Sequence, residues 1–312
     1  AAADWAEEWV DRPVRHLPFA PCRVLPRNVV MQERSRLVPG ADGAAPTLEL
    51  YEKPRVTQDS SDGGDNAVNA GVPESERYVV LPTVQQHARG LAICDTAGGS
   101  QHRAASYVVD AESAYRFCPV QEADLWTQCF AWWGEDGSVG FCVDRRLGFG
   151  GAFAPNRFER ISTLVAAHVQ AKQAAFDATQ PVAPSVARWA AERRARQQRG
   201  ELPQGEAQLA PRYIQVYIDD LTGAALDDPV ATPSDVEGID IDPGQVVSEG
   251  GLPALPGTRV YVHAQLAVLG LRDVGLNAAP SKVVVGDPVV ALGLRVGRAA
   301  QRVDCPPLKR QS

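Results

Sequence analysis

The stretch RYIQVYIDDL, residues 212–221, places two carboxylates side by side at the end of an apolar, β-branched run. Adjacent carboxylates repel each other by about 1 kcal/mol at ~4 Å even in water, and by more when they are partly buried. Successive side chains of a strand point to opposite faces, so Asp219 and Asp220 serve one site only if the chain turns there, as at a hairpin apex. A divalent cation would offset the repulsion, and Mg²⁺ prefers oxygen ligands. The alternative is an ordinary strand end with two solvated acids.

A second acid also follows a β-branched run, in YVVDAESAYRFCPV, residues 107–120. If the two runs are neighbouring strands, Asp110 joins Asp219 and Asp220, and three carboxylates can hold two metal ions. Two ions roughly 3.5 to 4 Å apart activate an attacking hydroxyl and stabilise the leaving oxygen of an in-line phosphoryl transfer. The sequence therefore predicts a two-metal site that draws on two strands.

The charge of the chain is unevenly distributed. The 312 residues have a net charge of −7, which by itself is unfavourable for a protein that binds nucleic acid. Seven of the 38 acids lie between Leu221 and Gly257, where there is no Lys or Arg, and the remaining acids equal the 31 basic residues in number. The acidity belongs to one Pro/Gly-rich segment, and the remainder is neutral with room for basic patches.

Other compositional features exclude several classes of protein. The six cysteines form no CxxC pair, which argues against a zinc site or a disulfide framework. No run approaches the ~18 apolar residues of a membrane span, and the start lacks the features of a signal peptide. We therefore expect an intracellular protein, with the cytoplasm and the nucleus not distinguished. The chain opens on Ala and holds one Met, which suggests a piece of a longer reading frame.

The hydrophobic pattern predicts an α+β fold. A strand over 46–60 precedes a helix over 79–92, a hairpin over 125–144 and an amphipathic helix with apolar positions from Phe158 to Phe176. The strands around Asp110 and Asp219, a helix over 259–276 and a pair of β-branched runs over 281–296 complete the pattern. This order favours an antiparallel sheet with helices packed on one face.

An arginine-rich helix is predicted over 185–200, SVARWAAERRARQQRG, with Ser185 as N-cap and Gly200 as C-terminal stop. It carries five arginines against the single acid Glu192. Such a face is either simply solvated or in contact with phosphates.

The chain resembles the reverse transcriptases over about residues 46–297, through an ordered series of six motifs. Any one of them is a weak signal, but six in order at plausible spacing are a strong one. The motifs are KPRVTQDSSDGGDNAVN (53–69), VVDAESAYR (108–116), LGFGGAFAPNRF (147–158), YIDD (217–220), GLNAAPSKVVV (275–285) and VVALGLRV (289–296). The resemblance implies a right-hand polymerase fold with fingers and palm. FGGAFAPNRF and the spacing from Lys53 to Asn69 are more similar to tyrosine-recombinase retrotransposons of the DIRS type than to retroviruses.

The resemblance also implies roles for individual residues. Asp110 and Asp219 would ligate two Mg²⁺ ions, with Mn²⁺ as a substitute, and Asp220 would assist more peripherally. Tyr115 would stack beneath the incoming sugar and exclude a 2′-hydroxyl, and Lys282 would face the leaving pyrophosphate as a candidate proton donor. The residues assigned to nucleotide binding are Lys53, Arg55, Tyr115, Phe149, Gly150 and Lys282, and those assigned to primer positioning are Leu292 and Gly293. The alternatives are solvated Lys and Arg side chains, a core Tyr and a flexible Gly turn.

Three departures from the family pattern stand out. Gly148 occupies the position where the family usually has Pro, which predicts a looser loop. The arginine-rich helix and the acidic segment look like insertions. The acidic one is a disordered surface loop, a loop that repels template, or a mimic of nucleic acid that occupies the site until displaced. An irregular loop of this length is uncommon inside a compact domain.

The implied domain organisation has five parts. They are an N-terminal extension (1–45), fingers (46–109), palm (110–220), acidic insertion (221–257), and the end of the palm with the primer-grip hairpin (258–312). We expect the thumb, RNase H and recombinase regions to belong to a longer polyprotein.

The implied function is an RNA-directed DNA polymerase of a retroelement that adds dNTPs to the primer of an RNA or DNA template, without membrane partners. Two alternatives remain. One is an RNA-dependent RNA polymerase, which would lack an aromatic sugar gate. The other is a decayed copy that acts only as a nucleic-acid-binding or inert module.

Overall fold

The computed structural model describes residues 8–38, 47–202, 210–241, 252–278, 283–291, 294–297 and 302–304. The strands are β1 (Arg27–Val38), β2 (Thr47–Gln58), β3 (Ala104–Asp110), β4 (Cys129–Trp133), β5 (Val139–Val143), β6 (Arg212–Tyr217), β7 (Asp220–Leu226), β8 (Leu252–Pro253), β9 (Val284–Asp287), β10 (Val289–Ala291), β11 (Leu294–Gly297) and β12 (Arg302–Asp304). The helices are α1 (Glu74–Arg77), α2 (Val84–Gly98), α3 (Ala154–Thr179), α4 (Pro184–Gln198) and α5 (Arg259–Asp273). Mixed helices and antiparallel sheets agree with the predicted α+β class.

The chain divides into two compact units. The first unit comprises residues 1–79 and 113–158, and the second comprises residues 80–112 and 159–312. The unit boundary therefore falls inside the sequence of α3. The limits that the sequence predicted for fingers, palm and insertions are a separate, finer division, and they stay predictions.

The first unit contains two antiparallel ribbons. β1 pairs with β2 from Arg27↔Gln58 to Val38↔Thr47. β4 pairs with β5 as a hairpin, at the place where the sequence predicted one. A buried carboxylate, Asp144, ties the unit together because it accepts hydrogen bonds from Arg27 at 2.9 Å and from Arg116 at 2.8 Å. Burial of this acid is compensated by its two arginine partners.

The second unit is built on a five-stranded antiparallel sheet in the order β6-β7-β3-β9-β8. Every residue of the central strand β3 is buried. Alternate residues of a strand face opposite ways. Ser106 hydrogen bonds to His87 of α2, whereas Tyr107 accepts a hydrogen bond from Gln173 of α3. The prediction that helices cover one face of this sheet is therefore wrong: β3 is apolar on both sides, and helices cover both.

His87 shows how completely α2 covers its face of the sheet. Its side chain is fully buried, and this burial lowers the pKa of the imidazole to about 4. The helix begins five residues later than predicted because Thr83 and Gln86 form a reciprocal capping box at its N-terminus, and it ends at Gly98.

Two described parts of the acidic segment, residues 221–226 and 227–241, have defined structure, whereas residues 242–251 lie outside the described residues. Residues 221–226, which the sequence assigned to the acidic insertion, form most of β7, an inner strand of the sheet. The residues of β7 are small enough to let neighbours approach, and a Cβ at Gly223 would collide with the ring of Tyr107. Small residues of this kind carry a weak strand signal, which is why the strand was missed.

Residues 227–241 are anchored on α5. Val236, Ile239 and Ile241 are buried. Tyr261 donates to the carbonyl of Ile241 at 3.0 Å, and Gln265 donates to the carbonyl of Ile239 at 2.8 Å. Residues 227–241 are therefore packed on α5 within the second unit and do not form a disordered loop.

Two acids of the same segment have structural partners. Asp227 accepts a hydrogen bond from the backbone N–H of Arg103 at 2.7 Å, and Asp228 forms an ion pair with Arg259 at 2.7 Å. These contacts leave Asp235, Glu237 and Asp240 as the exposed acids among residues 227–241.

The arginine-rich helix begins one residue earlier than predicted. Pro184 occupies the first turn and Ala183 is the N-cap, so the assignment of Ser185 as N-cap is wrong. Proline favours this position because its φ angle is already helical and it has no N–H to satisfy. Among the described residues, no helix combines the length and the apolar character that crossing a bilayer requires.

Candidate metal centre

The sheet of the second unit brings Asp110, Asp219 and Asp220 together. Asp110 ends β3 and lies directly opposite Asp220, the first residue of β7. Carboxylate oxygens of the three residues all lie within 4.8 Å of one another. Asp110 is 8% exposed, and the other two residues are half-buried. Three crowded, partly desolvated carboxylates are a costly arrangement unless cations offset their charge.

The turn between β6 and β7 explains how adjacent acids reach one site. Tyr217 pairs with Asp220, so only Ile218 and Asp219 form the turn. Ile218 has φ = +58°, in the left-handed region that a β-branched residue rarely adopts. Such a conformation costs on the order of 1 to 3 kcal/mol and persists only when surrounding contacts hold it.

Glu159 of α3 supplies one of these contacts. Its Oε2 accepts a hydrogen bond from the backbone N–H of Ile218 at 2.9 Å. Burial raises the pKa of this carboxyl group, and the hydrogen bonds from Ile218 and Ser162 act in the opposite direction. Glu159 thus fastens the strained turn to the helix beneath it.

Backbone contacts fix the other side of the turn. The N–H of Ala111 donates to the carbonyl of Asp219 at 2.9 Å, which joins the turn to the end of β3. The N–H of Glu112 donates to the carbonyl of Asn277 at 2.7 Å. Three chain segments therefore meet beside the carboxylates: the end of β3, the β6–β7 turn and the residues around Asn277.

Removing the Glu159 contact should loosen the turn. We expect Glu159→Ala to lower the stability of the second unit by about 1 kcal/mol, the value of one hydrogen bond, as measured by urea denaturation. Glu159→Gln keeps an oxygen acceptor for Ile218 and should be nearly as stable as wild type. Equal stabilities of the Ala and Gln variants would contradict a role for Glu159 in holding the turn.

The donor set suits a hard divalent cation. All three groups are carboxylates, and the described residues include no other group of three or more His, Cys, Asp or Glu side chains with this spacing. Mg²⁺ is bound through one or two carboxylates with water or phosphate oxygens in the remaining positions, whereas zinc sites favour Cys and His ligands. The residues present therefore fit Mg²⁺ or Mn²⁺.

The first unit brings together four of the other predicted site residues, Arg55, Tyr115, Phe149 and Gly150, and their aromatic neighbour Phe158. The ring of Tyr115 lies 5.1 Å from that of Phe149 and 5.5 Å from that of Phe158, both edge to face. The Arg55 guanidinium lies 5.6 Å from the centre of the Phe149 ring. Gly150 follows Phe149 directly, whereas Lys53, on the same face of β2 as Arg55, is exposed. Lys282, Leu292 and Gly293 lie outside the described residues.

The glycine loop around Phe149 is tied down, which corrects the expectation of a loose loop at Gly148. Gln58 donates its backbone N–H to the carbonyl of Phe149 at 2.8 Å. The side chain of Asn69 donates to the carbonyl of Gly150 at 3.1 Å and accepts from the N–H of Ala152 at 2.8 Å. Gly150 has φ = +121°, and a Cβ there would collide with the carbonyl oxygen of Gln58. Glycine is required at this position.

Sequence reasoning missed two residues that hold these sites. Glu159 directly follows the buried Phe158 in the amphipathic helix. An acid next to a buried helix position is the sequence signal that could have identified it. Gln58 contributes through its backbone, which leaves no signal in the side-chain pattern. Both act through contacts between segments distant in sequence.

Comparison of the sequence with protein-family models and with curated proteins gives no match. Among solved structures, the chain is similar to a foamy viral protease-reverse transcriptase dRH in complex with double-stranded DNA, at 15% sequence identity and a TM-score of 0.41. The similarity covers 95% of this chain and 32% of that one, so the chain spans about a third of the length of the structure it matches.

Proposed function

We propose that this chain is the fingers and palm of an RNA-directed DNA polymerase from a retroelement. The observation that carries the proposal is the convergence of Asp110, Asp219 and Asp220, with oxygen atoms within 4.8 Å, at the end of β3 and the adjoining β6–β7 turn of one antiparallel sheet. These are the acids that the motif resemblance selected from the sequence. A solvated strand end would not require the strained turn at Ile218 or its anchor at Glu159.

The proposed reaction is attack of a primer 3′-hydroxyl on the α-phosphate of a dNTP, with pyrophosphate as the leaving group. Asp110 and Asp219 would hold two Mg²⁺ ions, with Asp220 more peripheral. When bound, such ions activate the attacking hydroxyl and neutralise charge on the phosphoryl oxygens. The protein does little covalent work, and its contribution is to orient the reactants.

Cationic side chains have a separate role in the proposal. Arg55 and Lys53 would contact the triphosphate and offset the negative charge that develops in the transition state. The contact of Arg55 with Phe149 and its hydrogen bond to Gln32 at 3.0 Å limit the freedom of the guanidinium. Lys282 Nζ would donate a proton to the departing pyrophosphate, and Leu292-Gly293 would position the primer end.

Tyr115 is proposed to select deoxynucleotides. The residue before its 3₁₀ turn, Ser113, has φ = +52°, and the ring is half-buried between Phe149 and Phe158. Such a ring has little room to swing aside for a 2′-hydroxyl. An RNA polymerase would need space at this position, so the packing of Tyr115 favours DNA synthesis.

Tyr115→Ala should therefore admit ribonucleotides. We expect its discrimination between dNTP and rNTP, measured as the ratio of kcat/KM in primer extension, to fall about 100-fold, which corresponds to ~2.7 kcal/mol. Tyr115→Phe retains the ring and should discriminate as wild type does. A Tyr115→Ala protein that extends primers but still rejects rNTPs would rule out the gate.

The proposal as a whole is tested by primer extension on an RNA template with dNTPs and Mg²⁺. The 312-residue chain and a longer version with its native downstream residues should both be assayed, because the family's thumb contributes to primer-template binding. Extension by either protein that depends on Asp219 supports the polymerase. Binding of primer-template with no extension by either protein would favour a decayed binding module.

A further inference from the structure

Helix α4 is a well-anchored element that the metal centre does not use. Val186 packs against the buried core cluster that includes Val84 and Leu91 of α2. Arg199 caps the C-terminus, and Gly200 follows with φ = +72°. The helix is thus attached to the second unit along one side, while about half of its positions are exposed.

The exposed side of α4 is rich in arginine. At about 100° per residue, Arg188, Arg196 and Arg199 fall within roughly 80° of one another around the axis, and they span about 16 Å along it. Arg188 and Arg199 are exposed, and Arg196 is half-buried. The guanidinium of Arg193 lies 5.1 Å from the centre of the Trp189 ring, to one side of this row.

Local acids reduce the charge of this face without cancelling it. At the same 100° per residue, the exposed Glu192 falls at about 40°, between Arg188 and Arg196. Residues 184–201 carry five arginines against Glu192 and Glu201, within a chain whose net charge is −7. Arg196 lies 3.5 Å from Glu201, and Arg199 also pairs with Glu201, but these partners are about half exposed. Exposed ion pairs contribute about 0 to 1 kcal/mol, so a polyanion can displace them at little cost.

The chemistry of the face distinguishes among anionic partners. A helix that lies on a lipid surface presents large apolar residues opposite its basic ones. The exposed positions of α4 are Pro184, Ala187, Arg188, Ala191, Glu192, Arg194, Gln197 and Gln198. They offer no large apolar side chain for insertion into a bilayer. Three guanidinium groups spread over about 16 Å instead suit a repeating array of phosphates, which each strand of a duplex presents at ~3.4 Å intervals along the duplex axis.

We propose that the arginine face of α4 (Arg188, Arg196 and Arg199) binds the phosphodiester backbone of nucleic acid without reading its sequence. The inference rests on the proposed function for the identity of the partner, but it does not require catalysis. Arginine suits this role because its guanidinium can donate two parallel hydrogen bonds to a phosphate. The face would add a nucleic-acid contact in the second unit outside the metal centre.

The test compares two triple variants of the full chain in fluorescence-anisotropy titrations across a NaCl series. One is Arg188→Gln with Arg196→Gln and Arg199→Gln. The matched control removes three exposed arginines elsewhere, at Arg12, Arg15 and Arg272. The probes are a labelled RNA–DNA hybrid duplex and a labelled single-stranded RNA. Circular dichroism and thermal melting check that each variant is folded.

The α4 variant should bind about 10- to 100-fold more weakly at 0.1 M salt, and its slope of log K against log[salt] should fall by about 2.7 on duplex or 2.1 on a single strand. A larger loss on one probe identifies the form that α4 contacts. Replacing the three arginines by Lys should restore most of the slope. Equal losses in the α4 and control variants would show a general charge effect and overturn the inference.

The two proposals fail in different ways. If the wild-type chain does not extend primers but the α4 variant still loses its salt slope, the polymerase proposal falls and the binding face stands. If primers are extended but the α4 variant binds as the control does, only the binding face is lost.

Discussion

Asp219→Asn should abolish primer extension. The substitution keeps the size of the side chain but removes one of the three charges that converge at the turn. An amide is a poorer ligand for a hard cation than a carboxylate, so we expect a loss of at least about 10³-fold in kcat, or ~4 kcal/mol. The measurement is single-nucleotide addition to a labelled primer on an RNA template.

The remaining carboxylates provide a graded series. Asp110→Asn should be as damaging as Asp219→Asn, and Asp220→Asn should be milder because its proposed role is peripheral. Asp235→Asn removes an exposed acid from the same unit and serves as the matched control, with activity expected within about twofold of wild type. Retention of full activity by Asp219→Asn would end the two-metal proposal.

The stabilities of Asp219→Asn and wild type should also differ in a particular direction. Crowded carboxylates repel each other in the absence of metal, so replacing one by a neutral amide should leave the metal-free protein as stable or slightly more stable. Adding Mg²⁺ should raise the melting temperature of wild type more than that of the variant. A variant that melts far below wild type would point to misfolding as the cause of its inactivity.

The largest stability effect is expected at Arg259, the first residue of α5. Its guanidinium pairs with Asp177 at 2.6 Å and with Asp228 at 2.7 Å, and the three side chains are mostly buried. Arg259→Met would leave two desolvated acids short of a partner. We expect a loss of about 3 to 5 kcal/mol in the free energy of unfolding, the cost of breaking a buried pair. Urea denaturation followed by circular dichroism measures it.

Arg212→Met is the matched comparison. Arg212 also pairs with Asp177, at 2.9 Å, but it is more exposed, and its loss leaves Asp177 with Arg259 and with His263 at 3.0 Å. The expected cost is about 1 kcal/mol. If both variants lose the same free energy of unfolding, the ion pairs of Arg259 stabilise the protein no more than an ordinary surface pair does.

Acid should weaken the same network. Burial acts to raise the pKa of Asp177, but hydrogen bonds and charges from His263 and Arg259 outweigh it and hold the pKa well below the usual value. A carboxyl group with a depressed folded pKa contributes stability above its unfolded pKa of about 3.9, and this contribution is lost as the pH falls below that value. Wild type should therefore lose more stability than Arg259→Met between pH 5 and pH 3.

Much of the candidate site could be predicted because it depends on local patterns. The β-branched runs before Asp110 and Asp219 predicted strands, and the adjacent acids required a turn, which the structure supplies at Ile218 and Asp219. The hairpin of the first unit and the amphipathic helix after the glycine loop also follow from periodicity. Such signals come from neighbours in the chain, and a single sequence contains them in full.

Other features depend on contacts that no local pattern reports. The residues of β7 are mostly small, so their strand identity comes from pairing with β3 and β6 and from the fit of Gly223 to Tyr107. Helices on both faces of the sheet, the anchoring of the acidic segment on α5 and the tied loop at Phe149 likewise arise from packing between distant segments.

The sequence by itself determined which acids are available and that a turn must bring two of them together, because charge and side-chain alternation are properties of consecutive residues. Only the tertiary structure decided that Asp110 lies opposite Asp220. It also decided that Glu159 accepts a hydrogen bond from the backbone N–H of Ile218 in the strained turn. Strand register and helix placement depend on how apolar faces pack to exclude water, and that packing involves residues far apart in the chain.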